Sequence, residues 1–257
     1  MLIAQISDTH LIVPGNPGNY GDEKLIALKR CVEDINNLDT PPDVVIHTGD
    51  LSDNGSYEEL QLAKQYLDEL NIPYYITPGN RDCPSRLIEV FAEQLGDVQV
   101  GGPIIYLVDN FPIKLVSLDT TTPDDNLGLL NFNKVAALDN ILLMNQNEPV
   151  IVFSHHPPFD LSLDDPPLIE FVNKISINLF DEIVDRHSQI VALFCGHVHR
   201  PIRKNMGLFD ANIAPPVCNL LNHSRDKTNH DYIGSFQLHE FGQGHNFTTE
   251  VKMISNQ

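Results

Sequence analysis

The feature that most constrains this chain is a repeated pairing of a short apolar run with a polar cluster. Apolar runs at 2–6, 44–46, 74–76, 150–153 and 191–194 lead into Asp8-Thr9-His10, Gly49-Asp50-Leu51-Ser52-Asp53, Gly79-Asn80-Arg81-Asp82, Ser154-His155-His156-Pro157-Pro158 and Gly196-His197-Val198-His199. Runs of this length, bounded by turn residues, read as buried strands. Laid side by side and parallel, they would bring their C-terminal ends to one edge, which is where open α/β sheets bind ligands.

The intervening segments carry helical spacing, so an α/β fold is expected. Leu25, Leu28, Val32, Ile35 and Leu38 mark a first helix, with Asp22 placed to cap it and Pro41-Pro42 to end it. Ser56 and Glu59 make a capping box ahead of Leu60, Ala63, Leu67 and Leu70. A third helix starts at Pro84, a hairpin is expected from 104–108 and 113–118, and Val135, Leu138, Ile141 and Leu142 mark a further helix. The Pro- and Gly-rich loop 14–19 should border the pocket, and the Pro- and Asp-rich stretch 157–167 is long enough to form a lid. Ile213, Val217, 233–238 and 247–253 read as short strands of a second sheet packed on the first. The 257 residues fit one elaborated domain, 1–257.

Acidic residues outnumber basic ones by 35 to 16, giving a formal charge of −19 with no basic tract, which argues against nonspecific nucleic-acid binding. The N-terminal region has no signal-peptide pattern, and no run approaches the ~18 apolar residues of a membrane span, so the expectation is a cytoplasmic protein with no membrane association. Cys31, Cys83, Cys195 and Cys218 lack C-x-x-C spacing and read as buried thiols.

Asp8 and His10 are two residues apart, as are His197 and His199, and residues so spaced in extended chain face one side. Gly196 lets the backbone approach closely. Taken together, Asp8, Asp50, Asn80 and several of His10, His155, His156, His197 and His199 form a mixed oxygen and nitrogen set suited to Mn, Fe, Zn or Co, with no thiolate among them. Bound metal would also supply the local positive charge that an anionic substrate needs in so acidic a protein.

These motifs, spanning residues 8–199, resemble those of the calcineurin-like metallophosphoesterases, most nearly the class III cyclic-nucleotide phosphodiesterases and the bacterial glycerophosphodiesterases. The resemblance implies a four-layer αββα sandwich with two divalent or mixed-valence ions. Asp8, His10, Asp50 and His199 would hold one ion, and Asp50, Asn80, His155 and His197 the other. Spacing does not choose between His155 and His156; the family pattern favours His155 as ligand and leaves His156 near the substrate or behind the ligands. The implied activity is hydrolysis of small phosphodiesters, cyclic nucleotides or glycerophosphodiesters, by a hydroxide held between the ions. Two divalent ions against Asp8, Asp50 and that hydroxide leave about one positive charge, a match for a phosphodiester monoanion. A phosphomonoesterase and a noncatalytic metal-binding scaffold on the same fold are the alternatives. The acidic composition offers no groove for nucleic acid. The resemblance also implies a homodimer, so residues 200–257 would complete the second sheet or contact another copy.

One residue departs from the pattern. Family members carry histidine after the Gly-Asn pair, assigned to the transition state or the leaving group, where this chain has Arg81. A guanidinium clamps phosphoryl oxygens but is a poor proton donor. The catalytic set is therefore read as Asp50, Asn80, Arg81 and His156, with three readings of the missing acid. His156 or His223 donates the proton, acidic leaving groups are preferred, or catalysis is weakened. Asp82 is placed to pair with Arg81, and Asp53 to sit behind a ligand or cap a helix. Asn219 is placed to approach the substrate, Asp119 to order the rim, and Arg200 and Arg203 to attract phosphate.

Overall fold

Alternate residues of the central strands face different cores, and this alternation stacks the molecule in layers. The computed structural model describes residues 1–15, 20–122, 125–161, 171, 173–221, 232–242, 244 and 246–256. In β1 (Leu2–Ile6) and β2 (Val44–His47), Ala4, Ile6 and Val45 join a core with α1 (Gly21–Asn36), α2 (Tyr57–Leu67), α3 (Pro84–Val90) and the short α4 (Ala92–Leu95), while Ile3, Val44 and Ile46 face away from it. There they meet Ile151, Phe153, Ala192 and Phe194 of β6 (Val150–Ser154) and β7 (Ile190–Cys195). The other faces of those strands pack with α5 (Phe132–Met144) and α6 (Lys174–Arg186). Strands buried on both faces read as continuous apolar runs. The result is the four-layer αββα sandwich.

The strands do not share one sheet. β1, β2 and β3 (Tyr74–Ile76) run parallel in a five-stranded sheet, joined on the β1 side by β10 (Tyr232–Phe241) and β11 (Phe247–Ser255). The second sheet contains β4 (Tyr106–Val108), β5 (Lys114–Leu118), β6, β7, β9 (Asp210–Ile213) and β8 (Ile202–Asn205), in that spatial order. The expected single edge is therefore two edges meeting at one end of the sandwich, because apolar runs do not encode which strand lies beside which. The C-terminal segment divides likewise: β8 and β9 complete the second sheet, β10 and β11 the first, and Val217 lies outside any strand.

Other differences are local. The N-cap of α1 is Tyr20 in left-handed conformation, so Asp22 sits in the first turn, where its charge favours the positive end of the helix dipole rather than capping. Helix α6 was not expected, although Asn173 caps it and Phe180, Ile183 and Val184 give it a buried face. Of the loop 14–19 and the lid stretch 157–167, residues 16–19 and 162–167 lie outside the described residues, as does His223. Phe159 and Leu161 are buried against the core of α5 and α6. At the β3 edge, the Tyr106 hydroxyl donates to the Ile76 carbonyl (2.6 Å) and accepts from its N–H (3.1 Å), tying one sheet to the other.

The seam between the sheets also carries buried polar groups. Gln5 Nε2 donates to the Cys195 carbonyl (2.8 Å) and to Thr48 Oγ1 (3.1 Å), and Gln5 Oε1 accepts from His239 Nε2 (3.0 Å). His239 stacks on Phe194 with ring centroids 4.0 Å apart. Unpaired, these groups would be costly to bury; paired, they fix how the sheets sit on each other. Burial, with a smaller push from Arg203, lowers the His239 pKa from 6.5 to about 3. Between those values the unfolded chain binds a proton that the folded chain refuses. Stability therefore falls with falling pH, by up to about 1.4 kcal/mol per pH unit from this group. In urea unfolding between about pH 6 and pH 4, His239→Gln is expected to show a shallower loss of stability than wild type. Equal slopes would remove His239 from the acid sensitivity.

Candidate metal centre

The loops after β1 and β2 are zipped together by their backbones: Asp8 N–H donates to the Gly49 carbonyl (3.0 Å), His10 N–H to Asp50 (2.9 Å) and Leu11 N–H to Leu51 (3.0 Å). Among the described residues, six that are not glycine have positive φ, namely Tyr20 and five of the expected ligands, Asp8, His10, Asp50, His197 and His199. Left-handed backbone costs an L-residue about 1–2 kcal/mol. Such strain collects where side chains must be aimed. Two glycines make the room required: a Cβ at Gly196 would fall on Ser7 Oγ and Asp8 Oδ2, and one at Gly79 on the backbone nitrogen and Oδ1 of Asp50.

All seven expected ligand side chains come together, in two sets. Asp8 Oδ1 lies 3.3 Å from His199 Nε2 and 3.8 Å from His10 Nε2, and those two nitrogens are 3.1 Å apart. In the second set, Asn80 Oδ1 is 3.0 Å from His155 Nε2, which is 3.2 Å from His197 Nδ1. Asp50 Oδ2 sits 3.4 Å from both His10 Nε2 and His155 Nε2, so it is shared.

The outer nitrogens decide what the inner ones present. His155 Nδ1–H donates to the Thr48 carbonyl (2.8 Å), His199 Nδ1–H to the Leu221 carbonyl (2.8 Å) and His10 Nδ1–H to Asp53 Oδ1 (3.1 Å). In the neutral rings the Nε2 atoms then carry lone pairs into the cleft, so the His10–His199 and Asn80–His155 contacts call for a cation between them, an ion or a proton. Such contacts repel unless a cation lies among them, and outer partners of this kind are what orient metal-binding imidazoles. Imidazole, carboxylate and amide donors fit Mn, Fe, Zn or Co. Electrostatics agree. Burial opposes the Asp50 charge, yet His155 and His10 pull its pKa down to about 2, and Asp8 is held lower still by His199. Burial likewise opposes charge on His155, but Asp50 and Asp8 raise its pKa to about 9, so that without an ion a proton on Nε2 takes the cation's place.

The remaining expectations sort themselves around these sets. Arg81 is exposed at the mouth, its N–H donating to Asp50 Oδ1 (2.8 Å). Asp82 does not pair with it. The buried Asp82 carboxylate accepts instead from the N–H groups of Leu51 (3.2 Å), Ser52 (2.9 Å) and Gly79 (2.9 Å) and from Ser52 Oγ (2.8 Å), clasping two loops. His156 is fully buried. One ring nitrogen lies 2.9 Å from Thr120 Oγ1, the other donates to the Asn126 carbonyl (3.0 Å), and burial with repulsion from His197 and His155 pushes its pKa well below the usual value. Its nitrogens also approach those of His155 and His197, but both are already engaged. Asp53 supports His10 and takes Lys24 Nζ at 3.6 Å. The late loop reaches the site through the Leu221 carbonyl, whereas Asn219 Nδ2 donates to the Tyr232 carbonyl (2.9 Å). Asp119 orders the rim by accepting from Lys134 Nζ (3.0 Å), Thr121 and Ile104. Arg203 pairs with Asp210, away from the ligand loops. Sequence reading missed His47, Lys24 and Lys134. His47 is buried behind the cleft between Thr9 and the Gly49 N–H, at the end of a run that reads only as apolar.

Two layers of helices around two facing sheets, with a histidine and carboxylate cleft at their joined edges, define a metallohydrolase architecture. The chain belongs to the calcineurin-like phosphoesterase family, whose model matches residues 1–201. It is 32% identical over 200 residues to a probable glycerophosphodiester phosphodiesterase of Arcobacter nitrofigilis, covering 78% of this chain and 72% of that protein. It is 29% identical over 202 residues to a 3',5'-cyclic-nucleotide phosphodiesterase of Nostoc sp., covering 79% and 73%. Among solved structures, a dimetal phosphatase from Danio rerio shares the fold, with a TM-score of 0.75 at 14% identity over 100% of this chain and 99% of that one.

Asp82→Ala would leave three buried backbone N–H groups without their acceptor. At about 1–3 kcal/mol for each orphaned group, urea unfolding should show a loss of roughly 3 kcal/mol or more. A loss below about 1 kcal/mol would mean that water replaces the carboxylate.

Proposed function

We propose that this protein is a metal-dependent phosphoric diester hydrolase acting on small phosphodiesters, cyclic nucleotides or glycerophosphodiesters. The observation that carries the reading is the pair of inward-facing lone-pair sets sharing Asp50 Oδ2. Asp8, His10, Asp50 and His199 would hold one ion, and Asp50, Asn80, His155 and His197 the other. Two such ions supply Lewis acidity toward the phosphoryl group and a nucleophile drawn from water at neutral pH.

The chain's own residues do the rest. Asp50 is fixed on one oxygen by the Arg81 N–H, which leaves the other to both sets. We assign the exposed Arg81 guanidinium to gripping phosphoryl oxygens, a planar charge-assisted contact that a lysine would not reproduce. It also offsets the acidic surface for an incoming anion. His156, engaged at both ring nitrogens, has no N–H to spare for a departing alkoxide, which favours leaving groups that depart with little protonation. The names of the two relatives support the diester class. No helix among the described residues is long and apolar enough to cross a membrane, and the reading places the enzyme in the cytoplasm with its small substrates.

Steady-state hydrolysis by Mn-reconstituted protein tests this, on bis-p-nitrophenyl phosphate, p-nitrophenyl phosphate, cyclic AMP and glycerophosphoethanolamine. Diesters should be preferred, with turnover lost on chelation and in Asp50→Ala. Preference for the monoester would replace the reading with a phosphomonoesterase, and no turnover by ion-loaded protein would leave a scaffold. Arg81→Ala should lower kcat/KM by about 10–100-fold, roughly the 1.4–2.7 kcal/mol of a charge-assisted contact. Unchanged kinetics would place Arg81 in solvent throughout the reaction.

A further inference from the structure

The geometry points to Asn126 as a positioning residue that selects which face of the Asn80 amide meets the ion, with His156 as the strut that holds Asn126 in place. This rests on the two-ion reading above. An amide presents an oxygen and an NH₂ group of nearly equal size, and only the oxygen has lone pairs to give a cation. Asn80 needs a partner to choose between them. Asn80 Nδ2 donates to Asn126 Oδ1 (3.3 Å), which turns Asn80 Oδ1 toward His155 Nε2 (3.0 Å).

Asn126 lies exposed on the loop between β5 and α5, where a side chain is not held by packing. Its backbone is held instead. The Asn126 carbonyl accepts from His156 Nε2 (3.0 Å); a carbonyl cannot donate, so the ring proton is on Nε2 and Nδ1 accepts from the Thr120 hydroxyl (2.9 Å). Thr120 Oγ1 in turn accepts from the His156 backbone N–H (3.1 Å). The buried ring is wedged beside Gly128, where a Cβ would strike it, and against Phe171 at 6.2 Å between centroids. At its start the loop is anchored by the buried Asp119–Lys134 pair. Thr120, His156, Asn126 and Asn80 thus form one chain of contacts ending at a ligand oxygen, and His156 acts through another residue, not on the substrate.

Calorimetric titration with Co(II), followed also by visible absorption, reads this without turnover. Wild type should take up two ions. Asn126→Ala should weaken one of them by about 10–100-fold and leave the other unchanged, whereas Asn126→Asp, which keeps an acceptor, should stay near wild type. Thr120→Val, cutting the far end of the strut, should shift the same ion in the same direction. The decisive comparison uses Asn80→Asp. A carboxylate offers oxygen on either side, so adding Asn126→Ala to that variant should cost little. Wild-type affinities in Asn126→Ala, or an equal loss in the Asn80→Asp background, would overturn the assignment alone. A wild type that binds one ion only would overturn the two-ion reading and the assignment with it.

Discussion

Lone pairs converge in this cleft more densely than a protein interior tolerates. Two buried carboxylates, an amide oxygen and inward imidazole nitrogens lie within about 4 Å of one another, and neutral rings would set several lone pairs face to face unless an ion or a proton lay between them. Everything at this end of the sandwich answers to that crowding. Backbone at Asp8, His10, Asp50, His197 and His199 is forced left-handed to aim the donors, and Gly79 and Gly196 clear the path. Asp82 gathers the N–H groups of the bent loops, and the Thr48 and Leu221 carbonyls with Asp53 hold the rings. Such strain persists only where the surroundings over-determine it. Three apolar cores, one between the sheets and one under each helical layer, provide that support.

Local chemistry was the legible part of the sequence. β1 and β3 lie where apolar runs and turn residues place them, and the Ser56–Glu59 box caps α2, because each depends on residues a few positions apart. The convergence of the seven side chains was legible for a similar reason, since each cluster ends a run and all but the first carry a glycine or proline. Partnership across the chain was not legible. No pattern in residues 2–6 says that their neighbours are 44–47 on one side and 237–240 on the other. The same limit hid the Asp82 clasp, which looks in sequence like a partner for its neighbour Arg81, and the Leu221 contribution, which is a main-chain carbonyl and has no residue-type signature. Lys24 and Lys134 read as surface helix positions, but each is buried beside an aspartate that supports the cleft.

Adjacent residues of one type need not share a role. His155 and His156 look interchangeable as letters, but consecutive side chains at a strand end leave in different directions. One ring enters the cleft between Asp50 and Asn80; the other turns toward Thr120 and the main chain of Asn126. What separates them is the acceptor each meets. A carbonyl on the outer nitrogen of His155 frees its inner lone pair, whereas His156 has no nitrogen left uncommitted.

The two donor sets each draw on both sheets. Asp8, His10, Asp50 and Asn80 follow strands of the first sheet, and His155, His197 and His199 follow strands of the second. An ion in either set would therefore rivet the two halves of the sandwich, closing a loop of well over a hundred residues, from Asp8 to His199 in one set or from Asp50 to His197 in the other. The seam beneath it, with Gln5 bonded to Cys195 and His239 lying on Phe194, holds the same two sheets in register. Mechanically, the cleft is a joint as much as a pocket. Any slippage of one sheet on the other is felt first as a change in the distance between ligands.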